Sequence, residues 1–165
     1  EEHSEVAAKY PRFFDNYVTD NKVPVPVRHH VLNDWQKSLR ERLILPPNDR
    51  DIIFIVDREG GKGKTWFAKY WCSIYDNAQM LEPGKRADMA YALRDDIRYL
   101  FVNVTREKQE TLQYSFLEAV KDGVVFSPKY ESGIKSLGPC HVVVMMNMHP
   151  EEEKLSQDRV KITSI

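Results

Sequence analysis

Apolar and polar positions change rhythm along the chain, and the changes mark its elements. From Arg28 to Ile44, residues Val31, Leu32, Trp35, Leu39 and Leu43 recur every three or four positions, which predicts an amphipathic helix. That stripe must pack on the core or on a neighbouring subunit. Pro46-Pro47-Asn48-Asp49-Arg50 is a turn and a boundary. Ile52 to Val56 is a continuous β-branched and aromatic run, the pattern of a strand buried on both faces. A helical pattern follows from Trp66 to Tyr75, with Phe67, Tyr70, Trp71 and Ile74 on one face. Ala78–Leu81 reads as a short strand closed by Pro83-Gly84, and Arg86–Leu93 as a weak helix. Tyr99–Val102 is a second buried strand, and Glu107–Lys121 a helix whose C-cap suits Gly123. Val124 to Gly133 reads as a hairpin turning near Glu131-Ser132-Gly133, and His141–Met146 as a third buried strand. Upstream, Val6 to Tyr17 looks helical, and Lys22 to Val27 is an extended connector because its prolines restrict the backbone. Buried strands separated by helices predict an α/β fold with a parallel sheet covered on both faces. The expected organisation is a small helical region over residues 1–46 and a core over 47–165.

The chemistry sits between the first buried strand and the helix after it. Asp57-Arg58-Glu59-Gly60-Gly61-Lys62-Gly63-Lys64-Thr65 places a glycine-rich loop between strand and helix, the context of a phosphate-binding loop. Successive backbone N–H groups and a helix N-terminus form an anion cradle. Gly60, Gly61, Lys62, Gly63, Lys64 and Thr65 are the expected nucleotide-binding residues. Lys64 would reach the outer phosphates, and the Thr65 hydroxyl would ligate Mg²⁺. The motif consensus wants glycine where Arg58 stands; Gly60 and Gly61 offer the needed backbone freedom instead.

Two later strands end in amides, Asn103 and Asn147. Beside a γ-phosphate, such an amide can orient the attacking water. Arg159 follows the third strand closely, where an arginine could reach a neighbouring subunit's nucleotide. Lys129, Tyr130 and Lys135 decorate the hairpin, a pattern suited to single-stranded nucleic acid: lysines on phosphates, the ring against a base.

Composition narrows the picture. The chain has 165 residues, 42% hydrophobic and 30% charged, which is the profile of a soluble globular chain with one core. A net charge of −1 gives no global attraction to nucleic acid, so any such site is local or is made by assembling several copies. Cys72 and Cys140 lie in apolar segments without metal-ligand spacing and read as core residues of a reducing compartment. No apolar run is long enough to span a membrane. His29-His30 are adjacent and share no helix face, so they read as solvated rather than as a metal pair. The chain opens on Glu1 rather than Met, as a piece of a longer protein would.

Taken in order, these segments resemble superfamily 3 helicases. They look most like the helicase domain of replication-initiator (Rep) proteins of small circular single-stranded-DNA viruses and their satellites. The segments that carry this are Asp57–Tyr70, Tyr114–Gly123, Phe126–Tyr130, His141–Pro150 and Leu155–Arg159. The resemblance spans about residues 28 to 165. It implies an AAA+-like core, a helical oligomerisation region ahead of it, and assembly as a ring, usually a hexamer. It implies ATP hydrolysis with Mg²⁺, 3′-to-5′ movement on single-stranded DNA, rolling-circle replication, and work in a host nucleus. Under it, Lys64 and Thr65 serve phosphate and Mg²⁺, and Asn147 is the polar sensor. Lys129 and Lys135 lie on a pore hairpin, and Arg159 is a finger given in trans. The family's nicking domain is missing from these residues.

One departure stands out. The family's second motif carries aspartate where Asn103 stands. An amide offers Mg²⁺ a dipole in place of a full charge, so metal affinity and hydrolysis should fall. The amide is either natural or an introduced change that traps nucleotide. Glu107 and Glu110 are candidates for the catalytic base by their place after the second strand. Two further readings differ in class: a monomeric P-loop kinase, and a catalytically silent module that assembles in response to nucleotide. A kinase would want an arginine-bearing lid, which the sequence does not clearly show.

Overall fold

A computed structural model describes residues 31–130 and 133–165. The expected helix over Val6–Tyr17, the connector after it, His29-His30 and the hairpin turn at Glu131-Ser132 lie outside the described residues.

Helix α1 spans Asp34–Leu43. Asn33 caps it: its side chain accepts from the Gln36 N–H while the Gln36 side chain accepts from the Asn33 N–H, a reciprocal capping box. The main sheet holds β1 (Ile52–Val56), β2 (Ala78–Leu81), β3 (Tyr99–Asn103), β6 (His141–Met146) and β7 (Val160–Ser164), in the order β2-β3-β6-β1-β7, with every pairing parallel. Helices α2 (Lys64–Ile74), α3 (Arg86–Ala92) and α4 (Tyr114–Asp122) connect these strands. Strands β4 (Val124–Ser127) and β5 (Gly133–Ser136) form a separate antiparallel hairpin. This is an α/β fold with a five-stranded parallel sheet, the frame of a P-loop core.

Period-two alternation splits the sheet's side chains between two layers. On one face Ile52, Phe54, Leu100, Val102, Val142 and Val144 pack with Phe116, Leu117 and Val120 of α4. On the other, Ile53, Ile55, Phe101, Val143 and Met145 pack with Phe67, Trp71 and Cys72 of α2. Leu32, Leu39 and Leu43 join this second layer, so the α1 stripe is buried on the same core as the phosphate-loop helix. Both cysteines are free and buried, and burial pushes each thiol up to about 12, as inert core residues. Among the described residues no helix is long and apolar enough to cross a membrane.

One expectation is corrected, and one strand is added to those the sequence predicts. The helix expected over Glu107–Lys121 is a 3₁₀ segment, Arg106–Thr111, followed by α4. Leu112 and Tyr114 are both buried, and two residues apart on one continuous helix they would face roughly opposite sides. An extended Leu112 (φ −66°, ψ 126°) lets both turn inward. The residues after Arg159 form β7, an edge strand in register with β1 from Ile52↔Val160 to Val56↔Ser164. The chain there alternates Val160, Ile162 against Lys161, Thr163, a pattern short enough to pass as a tail.

Candidate nucleotide site at the phosphate loop

Parallel strands bring their C-terminal ends to one edge, and the side chains singled out from the sequence gather there. Asp57 follows β1, Asn103 closes β3 and Asn147 follows β6, the strand between them. The loop after β1 turns through left-handed backbone at Gly60 (φ 91°), Gly61 (φ 80°) and Gly63 (φ 89°). Only glycine takes these values without strain. Arg58 is not among the residues of positive φ, so the position where the consensus has glycine does not need one in this loop.

Gly63 is the N-cap of α2 and offers no side chain, so the first N–H groups of that helix keep no capping partner. They point with the helix dipole at whatever lies beyond the loop, the arrangement that binds phosphate. Lys64 opens the helix, and its Nζ stands 3.4 Å from Asp57 Oδ2. Asp57 is fully buried. Its Oδ1 accepts the N–H groups of Glu59 (3.1 Å) and Gly60 (2.8 Å). Burial pushes its carboxyl up, but the Gly60 N–H, the Lys64 charge and the Glu59 N–H outweigh that and hold it below its ordinary value. Asp57 thus shapes the loop and holds its lysine. Sequence reading quoted Asp57 as the start of the motif without giving it a task. A carboxylate ending a buried strand, seven residues before the loop lysine, was the available signal.

Asn147 donates from Nδ2 to the main-chain carbonyl of Asp57 at 2.9 Å, which fixes the root of the loop to the end of β6. Arg106, also unremarked in the sequence, reaches the Glu59 carbonyl from the 3₁₀ segment (Nη2, 3.4 Å) and brings positive charge beside the loop. Glu107 and Glu110 line a cavity of about 440 Å³ with Arg106, Tyr114, Met146 and His149, next to the ends of β3 and β6. Thr65 is exposed at the start of α2. Among the described residues no group of three His, Cys, Asp or Glu could hold a metal ion. The Thr65 hydroxyl and the Asn103 amide carry oxygen donors of the kind that Mg²⁺ takes.

Three expected residues sit differently. Lys135 donates to the carbonyls of Ala90 (2.7 Å), Tyr91 (2.8 Å) and Leu93 at the C-terminus of α3, so it caps that helix instead of facing a nucleic acid. Arg159 is buried (4% exposed), with Nη2 2.7 Å from Asp122 Oδ1 and Nε 3.7 Å from Glu118. It stands at the N-terminal end of β7, away from the loop edge, and its partners are within its own chain. A finger for a neighbour needs an exposed guanidinium, so that expectation is corrected. Lys129 pairs with Asp88 of α3, while Tyr130 is 80% exposed and packs on Tyr91 with ring centroids 4.9 Å apart. The hairpin is therefore anchored on α3, with the Tyr130 ring largely open to solvent.

No protein-family model matches the chain. Curated relatives do. It is 36% identical over 135 residues to Para-Rep C9 of the faba bean necrotic yellows C9 alphasatellite, a match covering 81% of this chain and 48% of the relative. It is 32% identical over 140 residues to the master replication protein of banana bunchy top virus (81% and 48%). It is 32% identical over 141 residues to that of subterranean clover stunt virus (82% and 49%). The chain spans about half the length of the curated relatives it matches. Over that span it belongs to the Rep family, the replication proteins of circular single-stranded-DNA viruses and their alphasatellites.

Proposed function

We propose that this chain is the ATP-driven motor region of a replication initiator, binding ATP with Mg²⁺ and moving 3′-to-5′ on single-stranded DNA as a ring. The observation that carries the reading is the loop itself: three left-handed glycines, an uncapped helix N-terminus and Lys64, at the C-terminal edge of a parallel sheet. Kinship to proteins named for replication adds the setting.

In this reading the loop amides and Lys64 take the triphosphate, and Thr65 meets the Mg²⁺. Asn147 senses the outer phosphate from the end of β6. Asn103 faces the metal with an amide, which slows hydrolysis while leaving binding in place. Glu107 or Glu110 supplies the base. Tyr130 stacks on DNA bases and Lys129 meets phosphates after leaving Asp88. Asn103 also favours a second reading, a nucleotide-dependent assembly module that turns over little ATP.

Light scattering and electron microscopy with and without ATP, Mg²⁺ and an oligonucleotide test this. A ring that forms with ATP and holds a central strand supports the motor. A protein that stays monomeric and ignores DNA overturns it.

A further inference from the structure

The N-terminus of α1 lies against the phosphate loop. Trp35 Nε1 donates to the Lys62 carbonyl at 2.9 Å, and Asn33 Nδ2 approaches the same oxygen at 3.5 Å. Gln36 Nε2 donates to the next carbonyl, that of Gly63, at 3.2 Å. Gln36 is 2% exposed, and its other amide atom is fixed by the Asn33 N–H at 3.0 Å. A Cβ on Gly63 would stand 2.7 Å from Gln36 Nε2, so the two segments are in direct contact.

Peptide planarity gives these bonds a consequence. In a trans peptide the C=O of one residue and the N–H of the next point in opposite directions. With the Lys62 carbonyl turned to Trp35, the Gly63 N–H faces away from α1. With the Gly63 carbonyl turned to Gln36, the Lys64 N–H does the same. These are two of the N–H groups that line the anion cradle. The Gly63 carbonyl also accepts the Phe67 N–H at 3.0 Å, the first bond of α2, so Gln36 reinforces a peptide that the helix already holds. The peptide between Lys62 and Gly63 lies before the helix and next to a left-handed glycine, where a flip costs little unless Trp35 holds the carbonyl.

We propose that Trp35, seconded by Gln36, is a positioning residue for nucleotide: Trp35 holds the Lys62 carbonyl outward so that the Gly63 amide stays aimed at the phosphates, and Gln36 adds to the hold of the Phe67 N–H on the Gly63 carbonyl, which aims the Lys64 amide. The inference rests on the reading of this loop as a triphosphate site. It also makes the seating of α1 a determinant of affinity, through contacts that no phosphate-loop motif contains.

Trp35→Phe keeps a ring against Phe67, which lies 5.9 Å from Trp35 between centroids, and removes the indole N–H. Gln36→Met keeps the volume and removes both the donor to Gly63 and the acceptor of the Asn33 N–H. Titration calorimetry with ATP and Mg²⁺ is paired with amide hydrogen exchange on the full 165-residue chain. The expected result is a loss of ATP affinity of about tenfold in Trp35→Phe, the scale of one hydrogen bond, and a smaller loss in Gln36→Met. With ATP bound, exchange should quicken at the Gly63 amide in Trp35→Phe while the Gly61 amide and the sheet stay as in the ATP-bound wild type, which a general loss of packing would not produce. If the wild type binds ATP and Trp35→Phe matches it in affinity and exchange, the positioning role is overturned while the nucleotide reading stands. If the wild type binds no ATP, the nucleotide reading falls and the positioning role falls with it.

Discussion

The side-chain amide of Asn147 and the main-chain carbonyl of Asp57 meet at 2.9 Å, joining the end of β6 to the root of the phosphate loop. The Asp57 carboxylate then holds Lys64 and the Gly60 N–H. Asn147, Asp57 and Lys64 form one continuous chain of contacts. The loop lysine and the strand that carries the proposed sensor are thus joined through a single residue.

Asp57→Asn keeps an acceptor for the loop N–H groups and removes the charge opposite Lys64. The variant should lose about 1–3 kcal/mol at neutral pH, the cost of a charge-assisted buried hydrogen bond, measured by urea unfolding. The Asp57 carboxyl is held below its ordinary 3.8, so its contribution is present above that pH and is lost as pH falls through the folded value. The gap between wild type and variant should accordingly close only in strongly acidic solution.

His141 responds to milder acid. It is 8% exposed, stacks on Tyr99, and its Nε2 lies 2.8 Å from the Leu45 carbonyl, so the neutral ring donates there. Burial lowers its pKa below 6.5, and the nearby charges of Lys121, Arg98 and Arg42 act in the same direction, against the Leu45 carbonyl. The unfolded chain therefore takes up a proton that the folded chain refuses, and stability falls as pH drops below 6.5. The slope contributed is at most about 1.4 kcal/mol per pH unit. His141→Gln should flatten the thermal midpoint between about pH 7 and about pH 5, the range in which an ordinary histidine charges.

Asn103→Asp restores a full charge at the end of β3. ATP turnover should rise at least about tenfold, the equivalent of about 1.4 kcal/mol of transition-state stabilisation. Equal turnover in the two forms, read by phosphate release, would remove this position from the metal site.

The two hairpin lysines should separate cleanly. Lys135→Ala deprives the α3 carbonyls of their cap and should lower the thermal midpoint by several degrees, with the salt dependence of DNA binding unchanged. Lys129→Ala breaks an exposed pair with Asp88 and an exposed contact with the Tyr130 ring and should leave the midpoint nearly unchanged, while weakening the binding of single-stranded DNA and reducing the salt slope.

Much of this molecule could be read from its sequence because continuous apolar runs leave little choice. Ile52–Val56, Tyr99–Val102 and His141–Met146 are buried strands as their patterns require, and Gly123 caps α4 at φ 87°. Strand β7 escaped because an edge strand carries only weak alternation. The break at Leu112 escaped because helical periodicity does not show which residues need to face inward together. In the site, Lys64 and the glycines follow from motif chemistry, whereas Lys135 and Arg159 were assigned by charge, by their place after a strand or on the hairpin, and by resemblance. Charge gives no direction, and the carbonyls of α3 and the carboxylate of Asp122 turned out to be nearer. Trp35 belonged to the predicted apolar stripe, and Gln36 drew no reading from the sequence. A stripe says that a face is buried, but not that a phosphate loop lies against it.

The central claim is that the loop from Gly60 to Thr65 holds a nucleoside triphosphate, and calorimetric titration of ATP with Mg²⁺ into the wild type and Lys64→Ala tests it most directly. The account predicts saturable binding of one ATP per chain in the wild type and its loss in a Lys64→Ala protein that remains folded. No binding by the folded wild type, or equal binding by the two proteins, would contradict it.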